Sequence, residues 1–226
     1  MKIIHTFISV WVLTLNLFAQ QGKIDTTITD FEGNIYKTVT IGDQHWMAEN
    51  LNVSKFNDGT LIPNIKENLK WQNNTTGAWA FYKNDAAKYA KYGKIYNWYA
   101  LSPLTNGNKN VCPSGWHIPT DDEWQILSNF LGDEGDNGGK IKEVGTKNWN
   151  APNTSATNST LFTALPGGYR TYIGEFEGLH EIGCWWSSTE SDSEQAYYRT
   201  LYFDEAYINN RNKSKVDGFS VRCIKD

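Results

Sequence analysis

The first clear pattern along the chain has a period of two. Residues 34–42, NIYKTVTIG, place Ile35, Thr38-Val39 and Ile41 as an alternating strand does. Gly42-Asp43 reads as a turn, and residues 44–51 as the returning strand of a hairpin. Residues 52–77, rich in Asn, Asp, Lys and Gly, form a surface excursion. A short strand is predicted within 78–82 and a short helix over 85–92, whereas 93–101 (GKIYNWYAL) fits helix or strand. The pattern is sharpest at 111–124, VCPSGWHIPTDDEW. Trp116 to Ile118 reads as a short buried strand. Thr120 with Glu123 three residues on makes a capping box, in which each side chain satisfies the other's backbone N–H. Trp124, Leu127, Phe130 and Leu131 then give the following helix one apolar face. Residues 132–139 read as a loop, 140–144 as one helical turn and 149–160 as a polar loop. Beyond them a meander is predicted over 183–189, 196–203, 206–210 and 219–224. The simplest account is one α+β domain, with helices early and strands late.

The N-terminus changes this picture. Lys2 is followed by an apolar run from Ile3 to Phe18 and then Ala19, so residues 1–19 read as a signal peptide with Gln20 the mature start. Residues 20–33, polar and Thr-rich, read as a flexible lead-in, leaving 34–226 as the domain. No later segment is apolar enough to span a bilayer, so an exported protein is expected: periplasmic, cell-surface or secreted. The net charge of −4, or −5 without Lys2, comes with no basic stripe, which argues against nucleic acid as a partner.

Three cysteines remain, and export favours oxidation of a pair. Cys112 with Cys223 is the expected disulfide, worth roughly 4 kcal/mol in the chain-entropy model, and Cys184 the expected buried free thiol. There is no CxxC pair and no close Cys/His cluster, so neither a metal site nor a cofactor is assigned. Ten Trp and twelve Tyr are the compositional outlier. They suit both core filling and the stacking of rings on sugar faces.

Six motifs in order carry a family resemblance: TVTIGDQHWMAENLN (38–52), YGKIYNWYAL (92–101), VCPSGWHIPTDDEW (111–124), FTALPGGYR (162–170), GCWWSSTE (183–190) and GFSVRCIKD (218–226). Together they resemble the Fibrobacter succinogenes major paralogous domain, a family of exported bacterial proteins. That family in turn resembles the C-type-lectin-like fold in the version of the formylglycine-generating enzymes, through HIPTDDEW, WWSSTE and GFSVRC. The resemblance implies a twisted antiparallel sheet, two helices and long loops. It also implies that the N- and C-terminal strands lie side by side, with Cys223 structural.

The leading functional expectation is a non-catalytic binding or adhesion module. Loops on a rigid scaffold carry recognition, and here these are 52–77, 132–160 and 171–195, with extracellular or cell-envelope carbohydrate as ligand. Trp149, Arg170 and Tyr172 are the candidate contact residues. Arg170 following Pro-Gly-Gly has the alternative of pairing with a carboxylate such as Glu190. One alternative function is an enzyme like the formylglycine-generating group. Their catalytic cysteine pair has no counterpart near Cys223, since 209–216 holds no thiol. The other is a structural component of a surface protein assembly. His45, His117 and His180 are dispersed, and Ser187-Ser188 lacks a nucleophile elbow. The acidic stretch 175–194 lacks the signatures of calcium-dependent lectins and reads as a solvated face.

Overall fold

The computed structural model describes residues 23–132 and 135–226. The expected signal peptide, 1–19, lies outside them. Along the described chain run β1 (Lys23–Thr29), β2 (Ile35–Ile41), β3 (Gln44–Met47), α1 (Asn68–Gln72), β4 (Trp79–Ala80), α2 (Ala86–Tyr89), β5 (Ile95–Asn97), α3 (Pro103–Asn106), β6 (Trp116–His117) and α4 (Asp121–Leu131). Then follow β7 (Gly167–Arg170), β8 (Phe176–Leu179), β9 (Ile182–Glu190), β10 (Gln195–Tyr202), β11 (Asn209–Ser214), β12 (Gly218–Phe219) and β13 (Ile224–Lys225). No helix here is long and apolar enough to cross a membrane.

The architecture is α+β, with two open and mostly antiparallel sheets. One has the order β1-β2-β3-β13-β6; the other runs β11-β10-β9-β7-β12-β5-β4, with β8 on β7. The last segment stitches the two together. Gly218 and Phe219 lie between β5 and β7, while Ile224 lies between Trp46 and His117. The C-terminal strand β13 thus lies beside β3, the returning strand of the β2–β3 hairpin, in the same sheet as β1 but not next to it. The Cys112–Cys223 disulfide sits beside this junction and links residues 111 apart, a constraint on the unfolded chain worth about 4–5 kcal/mol in the entropy model. Cys184 is free and buried.

Several expectations are corrected. Within the lead-in, residues 23–29 form β1, paired antiparallel with β2. Its β-branched side chains suit a strand, and Thr26 meets the Thr38 hydroxyl across the pair. Residues 140–144 make no helix; Lys142 instead bridges Ala164. Residues 93–101 are both things in turn, a strand and then one 3₁₀ turn over Trp98–Ala100, with Asn97 accepting from Ala100 N–H. The third strand of the meander begins three residues later than expected, at Asn209, because Lys142 Nζ donates to Tyr202 O and Glu205 O and holds the intervening turn. Strands open and close the described residues, so helices early and strands late does not hold. Instead of two helices the described residues hold four α-helices, of which only α4, with 11 residues, exceeds five. Its capping box forms as expected, with Glu123 N–H to Thr120 Oγ1 and Thr120 N–H to Glu123 Oε2. Phe130 leaves the apolar face, half-exposed, and lays its ring against Gly42.

The aromatic surplus is the core. Trp46, Trp71, Trp98, Trp124, Trp149, Trp185 and Trp186 are fully buried. All but Trp71 place the indole N–H on an oxygen, as Trp98 does on Ser187 O at 3.0 Å and Trp186 on Tyr96 O at 2.9 Å. A buried indole without that bond costs about 1–3 kcal/mol, so these contacts fix orientation as well as filling space.

Candidate functional site

The proposed contact residues separate once their burial is known. Trp149 is 1 % exposed, donates to Ala164 O at 3.0 Å and lies under the Lys142 ammonium. Arg170 is fully buried. Its guanidinium donates to Gly174 O, Ile65 O, Lys66 O and Asn68 Oδ1 and stacks on Trp71 with 4.3 Å to the ring centroid. Burial pulls its pKa down to about 10. These two are corrections: neither presents a face to a ligand, because each side chain is consumed in closing an irregular loop against the sheet. The alternative pairing of Arg170 with Glu190 is also replaced, since Glu190 pairs with Lys215 at 2.6 Å. Tyr172 is 53 % exposed on the turn between β7 and β8.

A polar cleft of about 250 Å³ opens elsewhere, between α4 and the start of β11. One wall is a stripe of the helix. Gln125, Ser128, Asn129 and Gly132 fall three, one and three residues apart, hence on one face. That face adjoins the buried Trp124–Leu127–Leu131 side which seats the helix on the core. The opposite wall is Tyr207, Ile208, Asn209 and Asn210, with Asn137 closing one end.

Three devices hold the walls in place. Asn137 Oδ1 accepts from Ile208 N–H at 2.8 Å. Gly138 lies so close that a Cβ there would stand 2.6 Å from the Tyr207 carbonyl carbon, a fit only glycine allows. The third is Arg199 at the floor, 1 % exposed. Its Nη1 donates to Asp121 Oδ1 and, at 2.8 Å, to Asn210 Oδ1; its Nη2 donates to Asp121 O at 3.1 Å. Asp121 opens α4, where a carboxylate is favoured by the helix dipole. One guanidinium thus ties the helix N-terminus to β10 and β11.

The cleft's chemistry is amide and hydroxyl chemistry with one half-exposed aromatic ring, Tyr207 at 39 %. Among the described residues no group of three or more His, Cys, Asp or Glu is placed to hold a metal. The cleft's helical signal was present in the sequence, as four polar or small residues at helical spacing on a helix whose other face is apolar. Its partner wall was not, because Tyr207 to Asn210 approach α4 only through the fold.

A larger cleft of about 380 Å³ lies over β2, β3 and the 90–93 turn, and contains Glu49, Lys91, Glu143 and Arg222. Its charges are already spoken for. Glu49 accepts from Lys37 N–H, the Asn148 amide stands between Glu143 and Lys91, and Arg222 donates to Asn50 Oδ1, Phe162 O and Thr163 O. The thiols do not form a reactive pair either. Cys112 and Cys223 are bonded to each other, and burial pushes the Cys184 thiol up to about 12.

One comparison settles the family: the model of the Fibrobacter succinogenes major domain matches residues 39–225. The chain belongs to that family. No curated protein and no solved structure matches it. Within the Fibrobacter succinogenes major domain the six sequence motifs form β3, β5, the disulfide and cap of α4, β7, β9 and the β12–β13 segment. The cleft shares only Asp121, at the start of α4, with these motifs; its Arg199 floor lies outside them. Its two walls lie outside the motifs.

Proposed function

We propose that the protein is an exported, non-catalytic binding module of C-type-lectin-like fold whose ligand is extracellular or cell-envelope carbohydrate, held in the cleft between α4 and β11. The observation that carries this reading is that Gln125, Ser128 and Asn129 on one wall and the half-exposed Tyr207 on the other line one cleft. Sugars present hydroxyls at their edge and C–H groups on their face. Amides that donate and accept, beside one flat ring, match both. The buried and bonded thiols support the non-catalytic part, and the disulfide is consistent with an oxidising compartment.

The test is retention of the purified protein on a panel of insoluble plant and bacterial polysaccharides, with Tyr207→Ala alongside. Saturable retention that falls at least about tenfold in the variant, a loss of 1.4 kcal/mol, supports the reading. Absence of retention on every polymer removes it and leaves a protein partner as the ligand class.

A further inference from the structure

We infer that this cleft takes a single uncharged sugar ring, the terminal residue of a neutral glycan chain, by direct hydrogen bonds and without a bridging cation. The inference rests on the carbohydrate reading above and narrows it.

Size comes first. Pockets for drug-sized ligands run to about 300–1,000 Å³. At about 250 Å³ the cleft falls below that range, room for one ring rather than a stretch of chain.

The polar valences come second. Gln125 Nε2 donates to Asn129 Oδ1 at 2.8 Å. That bond aligns the two amides and leaves the Gln125 carbonyl oxygen and the Asn129 NH₂ for a ligand: one acceptor and one donor side by side. Adjacent hydroxyls of a ring supply the complementary pair. Ser128 donates to Trp124 O at 2.9 Å and so faces the cleft as an acceptor. Asn209 and Asn210 are spent on the protein. Asn209 bonds Glu205 and Arg211, and Asn210 bonds Arg199 and Asp121. They are positioning residues, whereas Gln125, Ser128, Asn129 and Tyr207 are the contacts.

Charge comes third. The one cation in the cleft, Arg199, is neutralised by Asp121. Around it stand Asp204 and Glu205 on the turn before Tyr207, and Asp136 beside Asn137, itself paired with Lys140 at 3.0 Å. The nearby cations, Lys140 on Asp136 and Arg211 on Asn209 Oδ1, do not line the cleft, so a uronic acid or phosphorylated sugar would bring a negative charge to walls that hold no unpaired cation. The cleft's own oxygens are amide and hydroxyl, and calcium demands several converging oxygens with carboxylates among them.

The experiment varies chain ends, charge and cation separately, using the intact protein. Neutral polysaccharides (cellulose, xylan, mannan, β-1,3-glucan) are presented at equal mass, either intact or cut to short oligosaccharides, beside polygalacturonate and alginate, each with and without EDTA. Binding is expected to rise with the number of ends at constant mass, to fall about tenfold or more on the acidic polymers and to be unchanged by EDTA. Gln125→Ala/Asn129→Ala is expected to lose it with an unchanged melting temperature. Asn129→Asp, which adds a charge at the same size, should lose it as well, as a second check against misfolding. Binding that follows polymer mass rather than ends, that is equal on acidic polymers, or that EDTA abolishes would overturn the single neutral ring and leave the carbohydrate reading standing. Failure to bind any saccharide overturns both.

Discussion

Arg170 and Arg199 are equally buried guanidinium groups on two strands of the larger sheet, β7 at its middle and β10 next to its β11 edge, and they do opposite things. Arg170 spends its donors on three backbone carbonyls and one amide oxygen, and stacks on Trp71. Arg199 binds one carboxylate, one amide oxygen and the carbonyl of Asp121, all on elements that go on to wall a cleft. The difference lies in the partners. Carbonyls of an irregular loop are satisfied only by a buried donor, so Arg170 closes the 65–68 loop. Asp121 and Asn210 are surface side chains held in register, so Arg199 builds a site. A buried arginine in this fold is a plug or a foundation according to what it grips.

Removing the plug should have the largest effect. Arg170→Ala leaves Gly174 O and Ile65 O without a donor, leaves Lys66 O with Asn84 alone and opens a hole beside Trp71, for a loss of about 3 kcal/mol or more in chemical denaturation. Saccharide affinity of the protein that remains folded should not change. Loss of affinity in proportion to stability would break the distinction.

Asp121→Ala strikes the foundation. It leaves the Arg199 charge unpaired at a partly exposed site, so about 2 kcal/mol of stability should go. Here affinity should fall too, because α4 and β11 lose their tie.

Tyr207→Ala sharpens the comparison from the ligand's side. About tenfold in affinity, or 1.4 kcal/mol, should be lost with little change in stability. Calorimetric titration beside a thermal melt separates the two.

The smallest effect concerns a third buried charge, Asp217. Burial pushes its carboxyl up to about 6, against the attraction of Lys213, and its Oδ2 has no partner. A carboxyl whose pKa is raised on folding holds its proton more tightly in the native state. Its contribution therefore favours the fold as pH drops below about 6 and disappears above it. This group alone should make the protein roughly 1 kcal/mol more stable at pH 5 than at pH 7.5. Asp217→Asn should flatten that slope. An unaltered slope would place the titrating group elsewhere.

What the sequence revealed divides along the same line. The Thr120–Glu123 cap, the β2–β3 hairpin and the strands around Trp185 and Arg199 were legible, because each depends on neighbours a few residues away. The split of residues 218–225 between two sheets was not, since its partners at Asn97 and Trp46 are remote. The exposure of Trp149 and Arg170 was misjudged for a related reason. Polar loop composition suggests surface, yet this loop carries its own plug, with Asn153 donating to Glu143 O and Gly145 O beneath it. Of the three contact residues read from sequence, only Tyr172 is accessible, and it sits on an element that does not line the cleft. The helix half of the site was visible as spacing; the β11 half needed the fold.

The most direct test of the cleft as the ligand site is a map of amide and side-chain NMR shifts during titration with methyl glucoside, galactoside, mannoside and xyloside. The account predicts saturating shifts gathered at the Gln125 and Asn129 side-chain amides, Asn137 and the Tyr207 ring, with the Tyr172 turn silent. Shifts centred on Tyr172, or on the Glu49–Lys91–Glu143 cleft, would contradict it.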